Sequence, residues 1–146
     1  MITNGKFPNT TGWSCSGSSG CSLSVVSDTS CPTGCLKLNS GSTVSSNVFS
    51  LELQQQYELS FTIKCIGPIE SKIKLFVRQK TSISSVWSDI VICTKELFTY
   101  NYLFTPIESF SISSMILYFS LVSPLDSIPL LVDNVSLRKV SGKLII

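Results

Sequence analysis

Tyr57-Glu58-Leu59-Ser60-Phe61-Thr62-Ile63-Lys64-Cys65 is the most regular stretch of the chain, alternating apolar and polar side chains with hardly a break. A period of two is the signature of a β-strand that buries one face, because successive Cβ atoms point to opposite sides of a sheet. Tyr57, Leu59, Phe61, Ile63 and Cys65 are therefore expected to face a core. A run this long predicts a strand inside a sheet, not at its margin.

Working outward, Gln54-Gln55-Gln56 is the turn that leads in, and Gly67-Pro68 ends the strand. Lys72-Ile73-Lys74-Leu75-Phe76-Val77-Arg78 repeats the pattern with Ile73, Leu75 and Val77 inward. Upstream, Asn4 to Phe7, Ser22 to Ser27, Leu36 to Asn39 and Val44 to Leu53 read as strands, the last with an irregularity near Asn47. Downstream come Ile90 to Cys93, Glu96 to Thr105, Met115 to Val122 and Leu130 to Val140. None of these carries a sustained helical period with caps. Nine or ten short strands separated by turn signals predict an all-β antiparallel sandwich or barrel.

The composition agrees. The 146 residues suit a single domain, 1–146. Only 14% of the residues are charged and 43% are hydrophobic, against about 25% charged in a typical globular chain. Serine and threonine supply the polar half of the pattern, which suits strands better than helices. The formal charge of +2 is spread along the chain, so no footprint for nucleic acid is expected. No apolar run is long enough to insert into a membrane, and Met1 to Gly5 lacks the features of a signal peptide. The expectation is a mature or excised domain, or a protein made in the cytoplasm for later release.

Residues 14–35 form a cysteine-, serine- and glycine-rich region expected to be mostly loop, and 141–146 form an apolar tail. Cys15, Cys21, Cys31 and Cys35 crowd this region, and the short spacings favour local bridges Cys15–Cys21 and Cys31–Cys35, the second across the turn Pro32-Thr33-Gly34. Spacing alone leaves the connectivity open, and a four-thiolate zinc site is the alternative. Cys65 and Cys93 lie in strand contexts and are either a third bridge or buried thiols.

Phe98, Tyr100, Tyr102 and Phe104 share one face of their strand, as a row of core rings or as a stacking platform. Trp87 lies in a serine-rich connection that would expose it. In the last strand, Val135 and Leu137 read as core and Ser136 and Arg138 as outward. Asp133 interrupts that strand as an anchor or a metal ligand.

Several landmarks now fall in a familiar order: Asn4-Gly5-Lys6-Phe7, Gly12-Trp13, Leu36-Lys37-Leu38, Gln56 to Phe61, Leu117-Tyr118-Phe119, and Val132-Asp133-Asn134-Val135-Ser136-Leu137. This order resembles the jelly-roll carbohydrate-binding modules appended to xylanases and cellulases, within the galactose-binding-like sandwiches. The resemblance spans nearly the whole chain. It implies a jelly roll without catalysis of its own that takes glycans by stacking aromatic rings on sugar faces, and the expected location of the chain is extracellular, cell-surface or virion-associated. By residue type the candidates are Trp87, Trp13, Tyr100, Tyr102 and Tyr118, with Trp13 at a position more often structural in the family. It also implies a structural calcium at Asp133, with Asn4, Asp28 and Asn39 as the residues that could contribute further oxygen ligands. Pro8 stands where the family has an early acid, so Asp133 is expected first as an anchor of the N-terminal strand.

The absence of histidine excludes imidazole-based nucleophilic and acid–base chemistry. No motif places two carboxylates as a glycosidase pair. The other expectation comes from a different class, a self-assembling subunit of a virion, spore appendage or filament. Copies of the chain would join through disulfides or through strand addition by Lys143 to Ile146.

Overall fold

The computed structural model describes residues 9–17, 21–27, 31, 34–40, 43–66, 71–81, 85–106, 114–123 and 130–140. Ten strands run through these residues, with no helix among them: β1 (Trp13–Ser16), β2 (Ser22–Val26), β3 (Cys35–Ser40), β4 (Thr43–Ser46), β5 (Tyr57–Cys65), β6 (Ser71–Gln79), β7 (Ser85–Cys93), β8 (Phe98–Phe104), β9 (Met115–Ser123) and β10 (Leu130–Lys139). They form two antiparallel five-stranded sheets. Sheet A has the order β1-β4-β9-β6-β7 and sheet B the order β2-β3-β10-β5-β8. The expected all-β sandwich is the architecture found.

β5 lies within sheet B, between β10 and β8, as its alternation predicted. Tyr57, Leu59, Phe61, Ile63 and Cys65 are all buried. They meet the inner face of sheet A, where Ile73, Leu75, Val77, Leu117, Phe119 and Leu121 complete the core. Phe61 and Phe119 join the sheets edge to face, centroids 5.3 Å apart. The Tyr57 hydroxyl reaches back to accept a hydrogen bond from the Glu52 amide at 2.8 Å. This contact fastens the turn before β5, where Gln54 takes φ 59°.

β10 shows why its sequence pattern breaks. Leu130 and Val132 point into the core, and so do Val135 and Leu137, although the two pairs have opposite parity. The pairing with β5 slips between Asp133 and Ser136, and Asn134 takes φ 49°, a conformation that asparagine tolerates well. This bulge resets the phase of the strand. Leu131 and Asp133 are left on the outer side of sheet B. Leu131 is buried there against Cys31 and Cys35, so the Cys31–Cys35 bridge covers that part of the outer face.

All six cysteines are paired, Cys15–Cys21, Cys31–Cys35 and Cys65–Cys93. The local bridges are those that the spacing favoured, and the Gly34 amide closes the expected turn by donating to the Cys31 carbonyl at 3.1 Å. Cys65–Cys93 is the third bridge and crosses from sheet B to sheet A. No thiolates remain for a four-cysteine zinc site.

Three expectations change. Ser14 to Ser16 were read as loop but form β1 with Trp13, paired to β4. β4 ends at Ser46, and Phe49 makes only an isolated bridge to Met115. The connection thought to hold Trp87 is part of β7, which begins at Ser85. Residues 4–7, Pro8, Asp28 and the tail 141–146, with the proposed N-terminal strand and its Asn4, lie outside the described residues.

Candidate functional site

The candidate side chains divide between two places. The first is the rim where β7 and β8, the last strands of their sheets, face each other. Phe61 pairs with Tyr100 across β5 and β8, which puts Phe98, Tyr100, Tyr102 and Phe104 on the inner side. Val77 pairs with Trp87 across β6 and β7, which turns Trp87 inward as well. The rings interlock: Trp87 lies 4.9 Å from Tyr102 and 5.9 Å from Phe104, and Phe61 stacks on Tyr100 and Tyr102 at 5.5 and 6.1 Å.

The rim hydroxyls are engaged too. The Tyr100 hydroxyl donates to the Ile92 carbonyl at 2.9 Å, and the Tyr102 hydroxyl bonds the Asp89 carboxylate. Burial pushes both phenols upward, and for Tyr102 the Asp89 charge adds to it. The rim therefore works as a seam that closes the two sheets. Trp87, expected exposed in a loop, is half-buried in this seam, because a nine-residue strand carries it across from Tyr102. The seam has a pH signature. The native state holds these phenolic protons more tightly than the unfolded chain, so their stabilisation is complete below pH 10.0, the ordinary phenol value, and is lost as pH rises beyond it. The thermal midpoint is expected to fall above that pH, and to fall less steeply in Tyr102→Phe. Identical slopes in the two proteins would rule this out.

The second place is the outer face of sheet A. Its registers line up across all five strands: Ser14 with Ser45, Ser45 with Tyr118, Tyr118 with Phe76 and Phe76 with Ser88. Directly opposed residues share a face, so Ser14, Ser45, Tyr118, Phe76 and Ser88 form one row. At four strand spacings the row is about 19 Å long. A second row runs beside it through Ser16, Thr43, Ser120, Lys74 and Ile90, with a 3.1 Å hydrogen bond between the Thr43 and Ser120 hydroxyls.

Two half-buried rings sit in the middle of this surface. Phe76 and Tyr118 stack at 4.7 Å with 15° between their planes. The Arg78 guanidinium lies 5.2 Å from Phe76 and 4.9 Å from Tyr118, and the Lys74 ammonium is 5.7 Å from Phe76. Tyr118 was expected as a candidate, but Phe76, Arg78 and Lys74 were not. The signal that could have found them was parity: in β6 the residues between Ile73, Leu75 and Val77 face outward, and an aromatic among lysines is conspicuous there.

The other candidates have different places. Trp13, at 7% exposure, is a core residue beside Phe119. Asp133, at 6% exposure, lies on the opposite sheet. Its carboxylate and the Cys31 and Cys35 sulfurs fall within 4.8 Å of one another. Calcium takes six to eight oxygen ligands. This group offers one carboxylate and two sulfurs already bonded to each other, which by itself is not a calcium ligand set, and Asn4 lies outside the described residues. The Asn134 amide donates to Asp133 Oδ2 at 3.3 Å, as befits an acid that braces the bulge.

The fold recurs among solved structures. A CBM4 carbohydrate-binding module matches 95% of this chain and 99% of its own with a TM-score of 0.75 and 16% identity. The CBM22-1 xylan-binding domain of Paenibacillus barcinonensis Xyn10C matches over 92% and 89% of the two chains (TM-score 0.67, 16% identity). The N-terminal cellulose-binding domain of Cellulomonas fimi β-1,4-glucanase C matches over 97% and 95% (TM-score 0.67, 20% identity). No protein-family model and no curated protein sequence matches the chain. At these identities what is shared is the fold, a jelly-roll β-sandwich of the kind seen in carbohydrate-binding modules.

Proposed function

We propose that the chain is a non-catalytic glycan-binding module and that the outer face of sheet A is its platform. The observation that carries this reading is the row Ser14, Ser45, Tyr118, Phe76 and Ser88, in which a stacked aromatic pair is flanked on both sides by hydroxyls. Sugar rings offer an apolar face to an aromatic ring and hydroxyls to polar neighbours, and this row supplies both at once. The two faces differ in access, since Cys31 and Cys35 pack over Leu131 on sheet B. The likeness of the fold to a xylan-binding and a cellulose-binding domain adds support.

The non-catalytic part rests on where the acids go. Glu58 pairs with Arg138 and Glu52 with Lys139, each at 2.8 Å, Asp89 bonds Tyr102, and Asp133 is buried. Among the described residues none of these faces the Phe76–Tyr118 surface. Affinity gels containing xylan or hydroxyethylcellulose provide the test. Phe76→Ala and Tyr118→Ala are each expected to weaken retardation about tenfold, and Trp87→Ala to leave it unchanged. Folded Phe76→Ala and Tyr118→Ala proteins that bind as the parent does would refute the site.

A second reading, self-association, is favoured by the apolar exposure around the rim. Ile90 is 55% exposed, Ile92 48%, Phe98 60% and Leu103 58%, all on β7 and β8, which have no further strand beside them among the described residues. Uncovered apolar edges pair readily with another copy. If this is how the chain works, sedimentation velocity will show oligomers that Ile92→Lys dissolves. A monomer at every concentration would exclude it.

A further inference from the structure

The outer face of sheet A carries cations and no described counter-charge. Lys72, Lys74, Phe76 and Arg78 are the outward residues of β6, alternating with the buried Ser71, Ile73, Leu75 and Val77. The chain has nine acids. Of the five that are described, Glu58 and Asp133 lie on sheet B, Asp89 points inward from β7, and Glu52 and Glu96 lie in loops between strands. No carboxylate stands beside Lys72, Lys74 or Arg78 on this face among the described residues. The ion pairs found are elsewhere, at Arg138–Glu58 and Lys139–Glu52. A chain whose whole formal charge is +2 thus gathers three cations along β6, on the two sides of its aromatic row.

The position of Arg78 sharpens this. Its guanidinium lies near both Phe76 and Tyr118, a contact that orients the plane by cation–π attraction. Its Nε is buried and has no hydrogen-bond partner among the described residues. The terminal N–H groups of a guanidinium held in place and free of a carboxylate are suited to a planar anion, which they bind in a bidentate way. Lys72 and Lys74 continue the positive line along the same strand, two residues apart on one face.

We infer that this face takes an acidic polysaccharide, one whose sugar units carry carboxylate or sulfate groups, with the rings of Phe76 and Tyr118 under a sugar and Arg78, Lys74 and Lys72 on its anions. The inference rests on the glycan-binding reading and adds the charge class of the ligand. Single-stranded nucleic acid also combines stacking with negative charge. The serine and threonine hydroxyls of both rows, and the low charge of the chain as a whole, favour the sugar.

The test uses the intact chain on affinity gels containing polygalacturonate, a sulfated polysaccharide, neutral xylan or hydroxyethylcellulose, with a single-stranded oligonucleotide as competitor. Either acidic polymer is expected to retard the protein about tenfold more strongly than the neutral ones. Raising the salt several-fold should remove that excess, because exposed charges are screened within about 10 Å at 0.1 M. The variant Lys72→Gln with Lys74→Gln, both exposed residues, should lose the excess. Equal retardation by neutral and acidic polymers, insensitive to salt, would overturn the inference and leave the glycan-binding reading standing. No retardation by any polymer would overturn both. Displacement from polygalacturonate by a small molar amount of oligonucleotide would assign the face to nucleic acid and overturn the inference as well.

Discussion

Replacing Phe61 with alanine is expected to lower the unfolding free energy by about 4 kcal/mol, read as a shift of the urea midpoint at unchanged slope. Phe61 is fully buried on the inner face of β5. It contacts Phe119 of the opposite sheet and stacks on Tyr100 and Tyr102 of the neighbouring strand. Truncation to a methyl group removes the transfer free energy of the ring and leaves a cavity whose walls belong to three different strands. Those strands are held by their own ladders, so collapse into the space is incomplete and the cost falls in the middle of the range for Phe→Ala. The same change loosens the seam, because Tyr100 and Tyr102 lose the ring on which they stack, and near-ultraviolet circular dichroism of the tyrosines should weaken with it. A loss below about 1 kcal/mol would show that the two sheets do not meet at Phe61.

Removal of the inter-sheet bridge by Cys65→Ala with Cys93→Ala is expected to cost about 3.5 kcal/mol. The bridge closes a loop of sequence separation 28, and the chain-entropy account gives that magnitude for a loop of this length. The two local bridges, with separations of 6 and 4, constrain less of the unfolded chain and should cost less. Both half-cystines of the inter-sheet bridge are buried, so alanine also gives up sulfur packing. The bridge ties the end of β5 to the end of β7, beside the hydrogen bond from the Cys65 amide to the Thr94 carbonyl at 2.7 Å. β7 is otherwise joined to the sandwich by β6 on one side and by the rim rings. Its amides should therefore exchange fastest in the double variant. Equal protection of β7 with and without the bridge would contradict this role.

Surface ion pairs stand at the other extreme. Arg138–Glu58 and Lys139–Glu52 have short distances, but three of their four side chains are about half or more exposed. Such pairs contribute within about 1 kcal/mol because water screens them and ordering two long side chains costs entropy. What keeps β10 beside β5 is the ladder between them and the burial of Val132, Val135 and Leu137.

The strands were legible where one face is buried and the other is not. β5 and β6 alternate cleanly because each has a core face and an outward face, and period two reports that directly. β10 was harder to phase, because Leu131 and Asp133 face outward yet are buried. A linear pattern does not distinguish a bulge from a polar interruption when the outer face is covered too. β1 went unseen because Ser14 and Ser16 are small and polar, and only pairing to β4 makes them strand. Trp87 was misplaced for a related reason. The serines around it resemble a loop, but on an edge strand they are the outward and exposed half of β7. The local disulfides were legible, since a bridge across four or six residues depends on nearby chain alone. The pairing of Cys65 with Cys93 depends on β5 and β7 arriving face to face.

The candidate site shows the same division. The aromatic row of β8 was visible as a row, but its parity was silent on whether the face pointed to solvent or to the partner sheet. Tyr118 could be named by type. Its neighbours Phe76 and Arg78 could not, since some forty residues separate them along the chain and only the β6–β9 register sets them side by side.

By itself the sequence determined the class of the molecule: an antiparallel sandwich whose strands bury alternate residues, with cysteines spaced for local bridges and no imidazole chemistry. Those properties follow from side-chain period, from turn chemistry and from composition, all of them local. Which faces remain open was decided only by the tertiary structure. The rings of β8 were turned inward against Trp87, the outer side of sheet B was covered near Leu131, and Phe76, Tyr118, Arg78 and Lys74 were gathered on sheet A. Strand order and register are long-range choices, made by the packing of two sheets at once, and no stretch of the chain carries them alone.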